Sequence, residues 1–448
     1  MSGAGRRLSK RLETPVWCAF PVDDPALIRG RRAAAGELRD NNRLHDAFPA
    51  AFHNAVTHSE PNSTARLLRP LLLSSVLVHS AFVGSRVAVT LYAIKLHASA
   101  FDVGLLMALY GLLPMLFSVA VGRLIDRVGV LKPMIFSSSL LALFLLLPLA
   151  WPGMAALYLA SALSGLTFTF YMISVQNTAG VIGKPSELTA NFNKLSLCFS
   201  TSGFVGPMLA GFAIDSIGHR WTFLVLALCA LPAAVTLVAS KFAPPGPKPQ
   251  DARNRKVSLA ELLLDKRLQR VFIASGMLSI AWDAFAFAIP LYGSRIGMSA
   301  SEIGIVLGAF AAATFCIRIF LPALSRRYKP WRLILVSMLC ACACFLSLPL
   351  SDNFATLLPV AFALGLGLGM SQPMVLSLIH TAAPAGRAGE AVGVRATLVT
   401  FSQTAMPLMF GILGAALGMA PVFLSMALLL AGGSWYVRRT RVSDTPPA

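Results

Sequence analysis

Charged side chains are scarce in this chain of 448 residues. Only 13% of them are Asp, Glu, Lys or Arg, whereas 56% are hydrophobic and the mean hydropathy is +0.70. In soluble domains about a quarter of the residues are charged. A membrane-spanning helix needs about 20 consecutive, mostly apolar residues, and the sequence from Leu68 to Tyr436 contains twelve such runs. These runs exclude a soluble protein and predict an all-α integral membrane protein.

Acidic side chains are scarcer still: 19 of them stand against 38 Lys and Arg. The basic residues are not spread evenly, because nearly all of them fall in one alternate set of loops. The other set holds only Lys95, Arg220 and Arg295. Loops rich in Lys and Arg stay in the cytoplasm. We therefore assign the positive charge to membrane topology rather than to nucleic acid, and we expect both termini to be cytoplasmic.

The sequence also lacks the residue clusters that catalysis, metal binding and ATP hydrolysis require. It has no phosphate-binding loop of the G-x-x-x-x-G-K-[ST] type, and its histidines are scattered. Cys340, Cys342 and Cys344 alternate along a predicted helix, so they point to different faces. We expect no enzyme activity, no cofactor and no metal site.

Five segments follow from the pattern of apolar runs. Residues 1–67 combine many charges with no long apolar run, which predicts a disordered cytoplasmic tail. Two sets of six helices are predicted at 68–240 and 270–437. A proline-rich cytoplasmic hinge loop at 241–269 separates them, and a short cytoplasmic tail at 438–448 ends the chain.

The two sets of helices repeat each other at a spacing of 200 residues. The residues that coincide are Lys95 with Arg295, Ser99 with Ser299, Asp102 with Glu302, Gly104 with Gly304, Arg127 with Arg327, and Pro207 with Pro407. A repeat of six helices is typical of secondary transporters.

One motif stands between the second predicted helix (103–122) and the third (132–150). It reads Gly122-Arg-Leu-Ile-Asp126-Arg127-Val-Gly129. This motif and the repeat resemble the major facilitator superfamily. The resemblance implies two pseudo-symmetric six-helix bundles and transport by alternating access. It also implies that the loop carrying these four residues holds one face of the transporter closed and then releases it.

The chain departs from the family pattern in two places. Val130 and Leu131 replace the usual basic residues, and the second copy of the motif, at 322–329, has no acid. In the fifth predicted helix (195–215), Gly206-Pro207 and the glycines around it loosely resemble the signature of the superfamily's antiporters. Close packing of small residues explains the same pattern equally well.

Asp283 lies near the middle of the seventh predicted helix, too deep for its short side chain to reach the membrane surface. It shares a helical face with Ser275 and Ser279, as expected of a polar stripe along a solvated path. We expect Asp283 to carry a proton or bind a cation. A structural hydrogen bond to a neighbouring helix is the alternative.

Arg86 shares a face of the first helix with Ser75, His79 and Thr90. It is expected to bind an anion or to pair with Asp283. Arg318 lies about five residues from the predicted end of the eighth helix, from which its side chain should reach the surface. Further candidate cavity residues are Tyr171 in the fourth helix and Gln372 in the tenth, since helices 1, 4, 7 and 10 line the cavity in the fold that the motif resembles.

The sequence thus predicts a monomeric secondary transporter in the inner (cytoplasmic) membrane of a bacterium. Its partners would be the lipid bilayer, a small-molecule substrate and protons. Export of a drug, a metabolite or a siderophore-like anion is the first hypothesis. Proton-coupled uptake of an organic anion is the second. A sensor built on a transporter fold is the third.

Overall fold

A computed structural model describes residues 61–182, 187–240, 263–384 and 388–439. The predictions for the first 60 residues, for residues 241–262 of the hinge loop and for the last nine residues fall outside these ranges.

Within the described residues, twelve helices are long and apolar enough to cross a membrane, as the sequence predicts. In chain order they are α1 Pro61–Lys95, α2 Ala100–Val128, α3 Leu131–Leu145 continued by Leu147–Ala150, α4 Met154–Val181, α5 Leu188–Ile217, α6 His219–Ala239, α7 Lys266–Arg295, α8 Ala300–Arg327, α9 Pro330–Ser347 continued by Leu348–Leu350, α10 Phe354–Gly369 continued by Ser371–Ala382, α11 Ala388–Leu417 and α12 Met419–Arg439.

Equivalent caps begin α2 and α8. The Ser99 hydroxyl accepts a hydrogen bond from the backbone N–H of Asp102, whose carboxylate accepts one from the backbone N–H of Ser99 at 2.9 Å. Ser299 and Glu302 form the same pair, at 2.8 Å. Because these capping boxes satisfy free N–H groups, both helices begin three residues before the starts predicted from apolar content alone.

The motif that begins at Gly122 lies mostly within helix α2. The prediction that a loop carries this motif is therefore wrong. The helix continues to Val128, and Gly129 ends it with a φ of +81° while its N–H donates to the carbonyl of Ile125. Glycine adopts a positive φ at little cost. Gly122 lies inside the helix and makes no close approach to a neighbour, since a Cβ atom added to it would meet nothing within 4 Å.

The first six helices and the last six meet through two equivalent crossings. A Cβ atom on Gly304 of α8 would lie 2.6 Å from the carbonyl oxygen of Pro207 in α5. One on Gly104 of α2 would collide in the same way with the carbonyl of Pro407 in α11. The backbones touch because small residues remove the side chains between them. The repeat seen in the sequence is thus also a repeat of contacts.

The two membrane faces can be told apart by their loops. We call the face at residues 96–99 and 296–299 the outer face, and the face at residues 129–130 and 328–329 the basic face. Along α2, Gly104 near the outer face packs on α11, and a Cβ on Gly111 would still lie 2.7 Å from Thr404 Oγ1. A Cβ atom added to Gly122, near the basic face, would meet nothing within 4 Å. The helices α2 and α11 therefore meet at the outer face and diverge toward the basic face.

Candidate substrate and coupling site

A cavity of about 190 Å³ lies among the last six helices. Its lining residues are Ser279, Trp282 and Asp283 of α7, Arg318 of α8, Gln372 of α10, and Val399 and Gln403 of α11. The structure thus brings together three residues that the sequence singles out, namely Ser279, Asp283 and Gln372. Gln403 is an addition, because nothing in its sequence context distinguishes it from other glutamines.

Asp283 is 4% exposed, and its Oδ2 atom has no hydrogen-bond partner among the described residues. Ser279, one helical turn earlier, also lines the cavity, and its hydroxyl likewise lacks a partner. A polar atom buried without a partner is costly. The cavity wall formed by α7 therefore contains a carboxylate oxygen and a hydroxyl whose hydrogen-bonding capacity the described residues do not use.

Arg86 of α1 is half-buried and lies close enough for its charge to act on Asp283 in α7. The same charge acts on His79 and on Tyr110. The structure describes both Arg86 and Asp283, and no hydrogen bond joins the guanidinium to the free Oδ2 atom of the carboxylate. The two groups are thus electrostatic neighbours across the boundary between the two halves.

His79 belongs to an aromatic cluster, which we define as His79, Phe82, Phe168 and Phe199. The imidazole centroid lies 5.5 Å from that of Phe168 and 4.9 Å from that of Phe199. Phe82 and Phe168 stack at 3.7 Å. The His79 Nδ1 atom is buried and has no partner among the described residues. His79 does not line the cavity beside Asp283, and its neighbours are mainly rings of the first half.

Tyr171 does not line this cavity either. Its side chain is 2% exposed, and its hydroxyl donates to Ser74 Oγ in α1 at 2.8 Å. Thr167, one turn earlier, donates to the carbonyl of Leu163 in its own helix. Tyr171, predicted to line the substrate path, instead packs between α4 and α1. The spacing of residues along a helix gives the direction in which a side chain points but not the neighbour that it meets.

The prediction that the side chain of Arg318 reaches the membrane surface is wrong. This side chain lines the cavity, and its Nη1 atom donates to Ser200 Oγ of α5 at 2.8 Å. Helix α8 continues to Arg327 rather than ending near residue 323. Arg318 is therefore nine residues, or about 14 Å, from the helix end at 1.5 Å per residue. At that depth the guanidinium turns inward.

Arg395 is a second arginine whose position the sequence does not reveal. Its Nε atom donates to Ser275 Oγ of α7 at 2.8 Å, and its Nη2 atom donates to Oε1 of Gln372 in α10. The sequence predicts that α11 begins at this residue. The helix begins at Ala388 instead, which places Arg395 two turns inside it. Arg395 holds α7, α10 and α11 together beside the cavity.

The motif residues lie apart from the cavity, at the basic-face end of α2. Asp126 and Arg127 are exposed, and Gly122 and Gly129 are partly exposed. In this conformation the end of α2 does not pack on the second half at Gly122. The four residues thus lie outside the cavity, at the basic face.

Comparisons with known proteins place this geometry in one family. The family model of the Major Facilitator Superfamily matches residues 71–407. The quinolone resistance protein NorA of Staphylococcus aureus (strain MRSA252) is 24% identical over 344 residues, which cover 74% of this chain and 85% of that protein. The class D tetracycline resistance protein of Salmonella ordonez is 25% identical over 326 residues, covering 68% and 78% respectively.

A solved structure has the same fold. It is a bacterial homologue of the human lysosomal transporter Spinster, in an inward-facing and unoccupied conformation. The two folds superpose with a TM-score of 0.70 at 13% identity, covering 86% of this chain and 100% of that one.

Proposed function

Because the chain belongs to the Major Facilitator Superfamily, we propose that it exports a small organic solute from the cell in exchange for protons. Members of this superfamily are transporters rather than enzymes, and this one is a multi-pass membrane protein. The exchange would proceed by alternating access: the cavity opens first to one face and then to the other.

The buried position of Asp283 supports proton coupling. This residue is a buried carboxylate on the cavity wall, with one oxygen that has no partner among the described residues. Burial disfavours a charged group, and a neighbouring positive charge favours a carboxylate's ionised form. Asp283 experiences both influences, since Arg86 acts on it from α1. A carboxylate balanced in this way can take up a proton from one face and release it to the other.

Two relatives support export as the direction. Both are named for resistance to antibacterial compounds, quinolones in one case and tetracycline in the other. Resistance is the phenotype that export of a compound would confer. The cavity among α7, α8, α10 and α11 combines polar groups with Trp282, which suits an amphipathic solute.

The topology completes the proposal. We place the basic face and both termini in the cytoplasm of a bacterium and the chain in its inner membrane, because Lys and Arg mark cytoplasmic loops. The state seen here, with α2 and α11 packed near the outer face, is then the one in which substrate enters from the cytoplasm. Labelling of a cysteine introduced at Gln250 by an impermeant reagent outside intact cells would contradict this orientation.

The proposed activity is tested in inverted membrane vesicles with an imposed pH gradient, acid inside. Uptake of a fluorescent fluoroquinolone and of tetracycline would be measured in vesicles with and without the protein. We expect accumulation of at least one compound, and its collapse when a protonophore removes the gradient. Accumulation that persists without the gradient would contradict proton coupling.

Uptake of an organic anion is a second candidate, favoured by the guanidinium groups of Arg86, Arg318 and Arg395 in and beside the cavity. The same assay in right-side-out vesicles distinguishes the two directions. An importer would accumulate its substrate there with an inward proton gradient, whereas an exporter would not.

A further inference from the structure

We propose that Arg318 recognises the substrate, and that the substrate is a small aromatic compound with an anionic group. The inference deepens the proposed function, on which it rests, by naming the chemical class that the cavity binds. It depends on the cavity itself and not on the direction of transport or on the coupling ion.

Arg318 has N–H donors that are not used within the part of the chain that the structure describes. A guanidinium has five N–H donors and no acceptor. One nitrogen, Nη1, donates to Ser200 Oγ, while the Nε atom is buried and has no partner among the described residues. A neutral hydroxyl is a weak partner for a cation in a membrane, where such a charge is costly. Arg318 therefore lines the cavity and keeps hydrogen-bonding capacity that the described residues do not use.

The acidic and basic groups of the cavity leave Arg318 without an anionic partner in the described ranges. The cavity lining contains one acid, Asp283, and one base, Arg318. Over the ranges that the structure covers, the Oδ2 atom of Asp283 and the Nε atom of Arg318 are both without partners, so these two atoms do not neutralise each other. The charge that acts on Asp283 comes from Arg86. Arg318 is thus left for an anion from outside the protein, and a carboxylate or sulfonate matches its planar fork.

The size of the cavity and its aromatic wall limit the ligand that it can hold. Trp282 lines the cavity and meets Phe310 edge-on, with ring centroids 4.7 Å apart. This wall offers a fixed aromatic surface against which a ligand ring can pack. The volume is about 190 Å³, and an engineered apolar cavity of about 150 Å³ in another protein holds benzene. The cavity therefore suits one aromatic ring with its acid group.

The position of Ser200 gives the binding event a consequence. Ser200 belongs to α5 in the first half and Arg318 to α8 in the second, so their hydrogen bond joins the halves beside the cavity. An anion that also takes the Nη1 donor would compete with Ser200. Substrate binding would then loosen one contact that links the two halves.

The test uses the purified full-length protein in detergent and three one-ring probes of similar size: benzoate, benzyl alcohol and benzylamine. Binding of each radiolabelled probe is measured by equilibrium dialysis. We expect benzoate to bind at least about tenfold more tightly than benzyl alcohol, as a hydrogen bond to a charged group allows, and benzylamine to bind least. Tighter binding of benzylamine than of benzoate would overturn the proposal.

Three variants assign the effect to Arg318. Arg318→Gln should weaken benzoate binding by about tenfold or more and leave benzyl alcohol binding unchanged. Arg326→Gln, which removes the same charge from an exposed position on the same helix, should change neither. If Arg318→Gln does not fold, Ser200→Ala replaces it. That variant frees the Nη1 donor, and we expect it to bind benzoate more tightly.

Wild-type benzoate affinity in Arg318→Gln, or in Ser200→Ala when it is the variant used, overturns the inference. Its failure can be told apart from failure of the proposed function. Vesicles that show no proton-driven transport, with benzoate binding that still depends on Arg318, would refute the proposed function alone. Proton-driven transport of a cation that is indifferent to Arg318→Gln would refute this inference alone.

Discussion

The Oδ2 atom of Asp215, near the end of α5, accepts a hydrogen bond from the backbone N–H of Ser301 at 2.7 Å. Its Oδ1 atom accepts one from the N–H of Ala300 at 3.2 Å. A carboxylate of the first half thus caps the helix α8 of the second half, where free N–H groups and the helix dipole both favour an anion. The equivalent position in α11 is Ala415, so the other crossing lacks this cap. The outer face is held asymmetrically.

Asp215→Ala should weaken the closure of the outer face. A lost helix cap costs about 1 kcal/mol, which is roughly a fivefold change in the ratio of two states. Spin labels at Lys95 and Arg295, equivalent exposed positions on the two halves, report this change as a longer distance population. Asp352→Ala is the control, since among the described residues exposed Asp352 accepts a hydrogen bond from its neighbour Asn353 alone. Identical distance distributions in the two variants would refute the role of Asp215.

Gly304→Ala should act at the crossing itself. The new methyl group would lie 2.6 Å from the carbonyl oxygen of Pro207, so the two backbones must separate. We expect slower transport and a longer distance between the labels at Lys95 and Arg295. In Gly276→Ala the same methyl group meets nothing within 4 Å, so transport should continue. Normal transport by Gly304→Ala would mean that the close approach is dispensable.

Asp126→Asn should leave expression near normal and yet slow turnover. Asp126 is exposed in the present state, and we expect it to act when the basic face closes. Labels at Lys132 and Arg332, exposed and equivalent, would then show a smaller population with that face closed. The comparison variant is Arg123→Gln, which changes one charge in the same turn. If Asp126→Asn transports as fast as the wild type, it has no role as a latch.

Arg86→Lys separates two roles for Arg86. Lysine keeps the charge but loses the planar fork. Because the charge of Arg86 acts on Asp283 without a hydrogen bond to its free oxygen, we expect Arg86→Lys to retain most proton-driven transport and Arg86→Gln to lose it. Equal loss in both variants would indicate instead that the fork itself binds a ligand.

The helices and their repeat could be predicted from the sequence, because long apolar runs and charged loops are local features. Local features also placed Asp283 and Ser279 on one face of α7. The cap by Asp215 could not be predicted, since it joins residues 85 positions apart. Arg318 was placed wrongly for a related reason: its direction depends on where α8 ends, and helix ends are the part of a prediction that composition determines least.

Tyr171 shows the complementary limit. A hydroxyl on this face of α4 is compatible with a solvated path. It is equally compatible with a packed interface in which the hydroxyl bonds to a neighbouring helix. Only the contact with Ser74 decides between the two. A single sequence predicts which residues share one face of a helix. It does not predict which neighbour that face packs against.

Transport by Asp283→Asn in proteoliposomes shows whether Asp283 carries the coupled proton. Asn keeps the size and the hydrogen-bonding groups but cannot take up a proton. Gradient-driven accumulation and substrate exchange without a gradient would be measured side by side. Asp265→Asn is the control, an equal substitution at the partly exposed N-cap of the same helix, where Asn can also cap. We expect Asp283→Asn to exchange substrate but no longer to accumulate it. Accumulation at the level of Asp265→Asn would mean that Asp283 does not carry the proton.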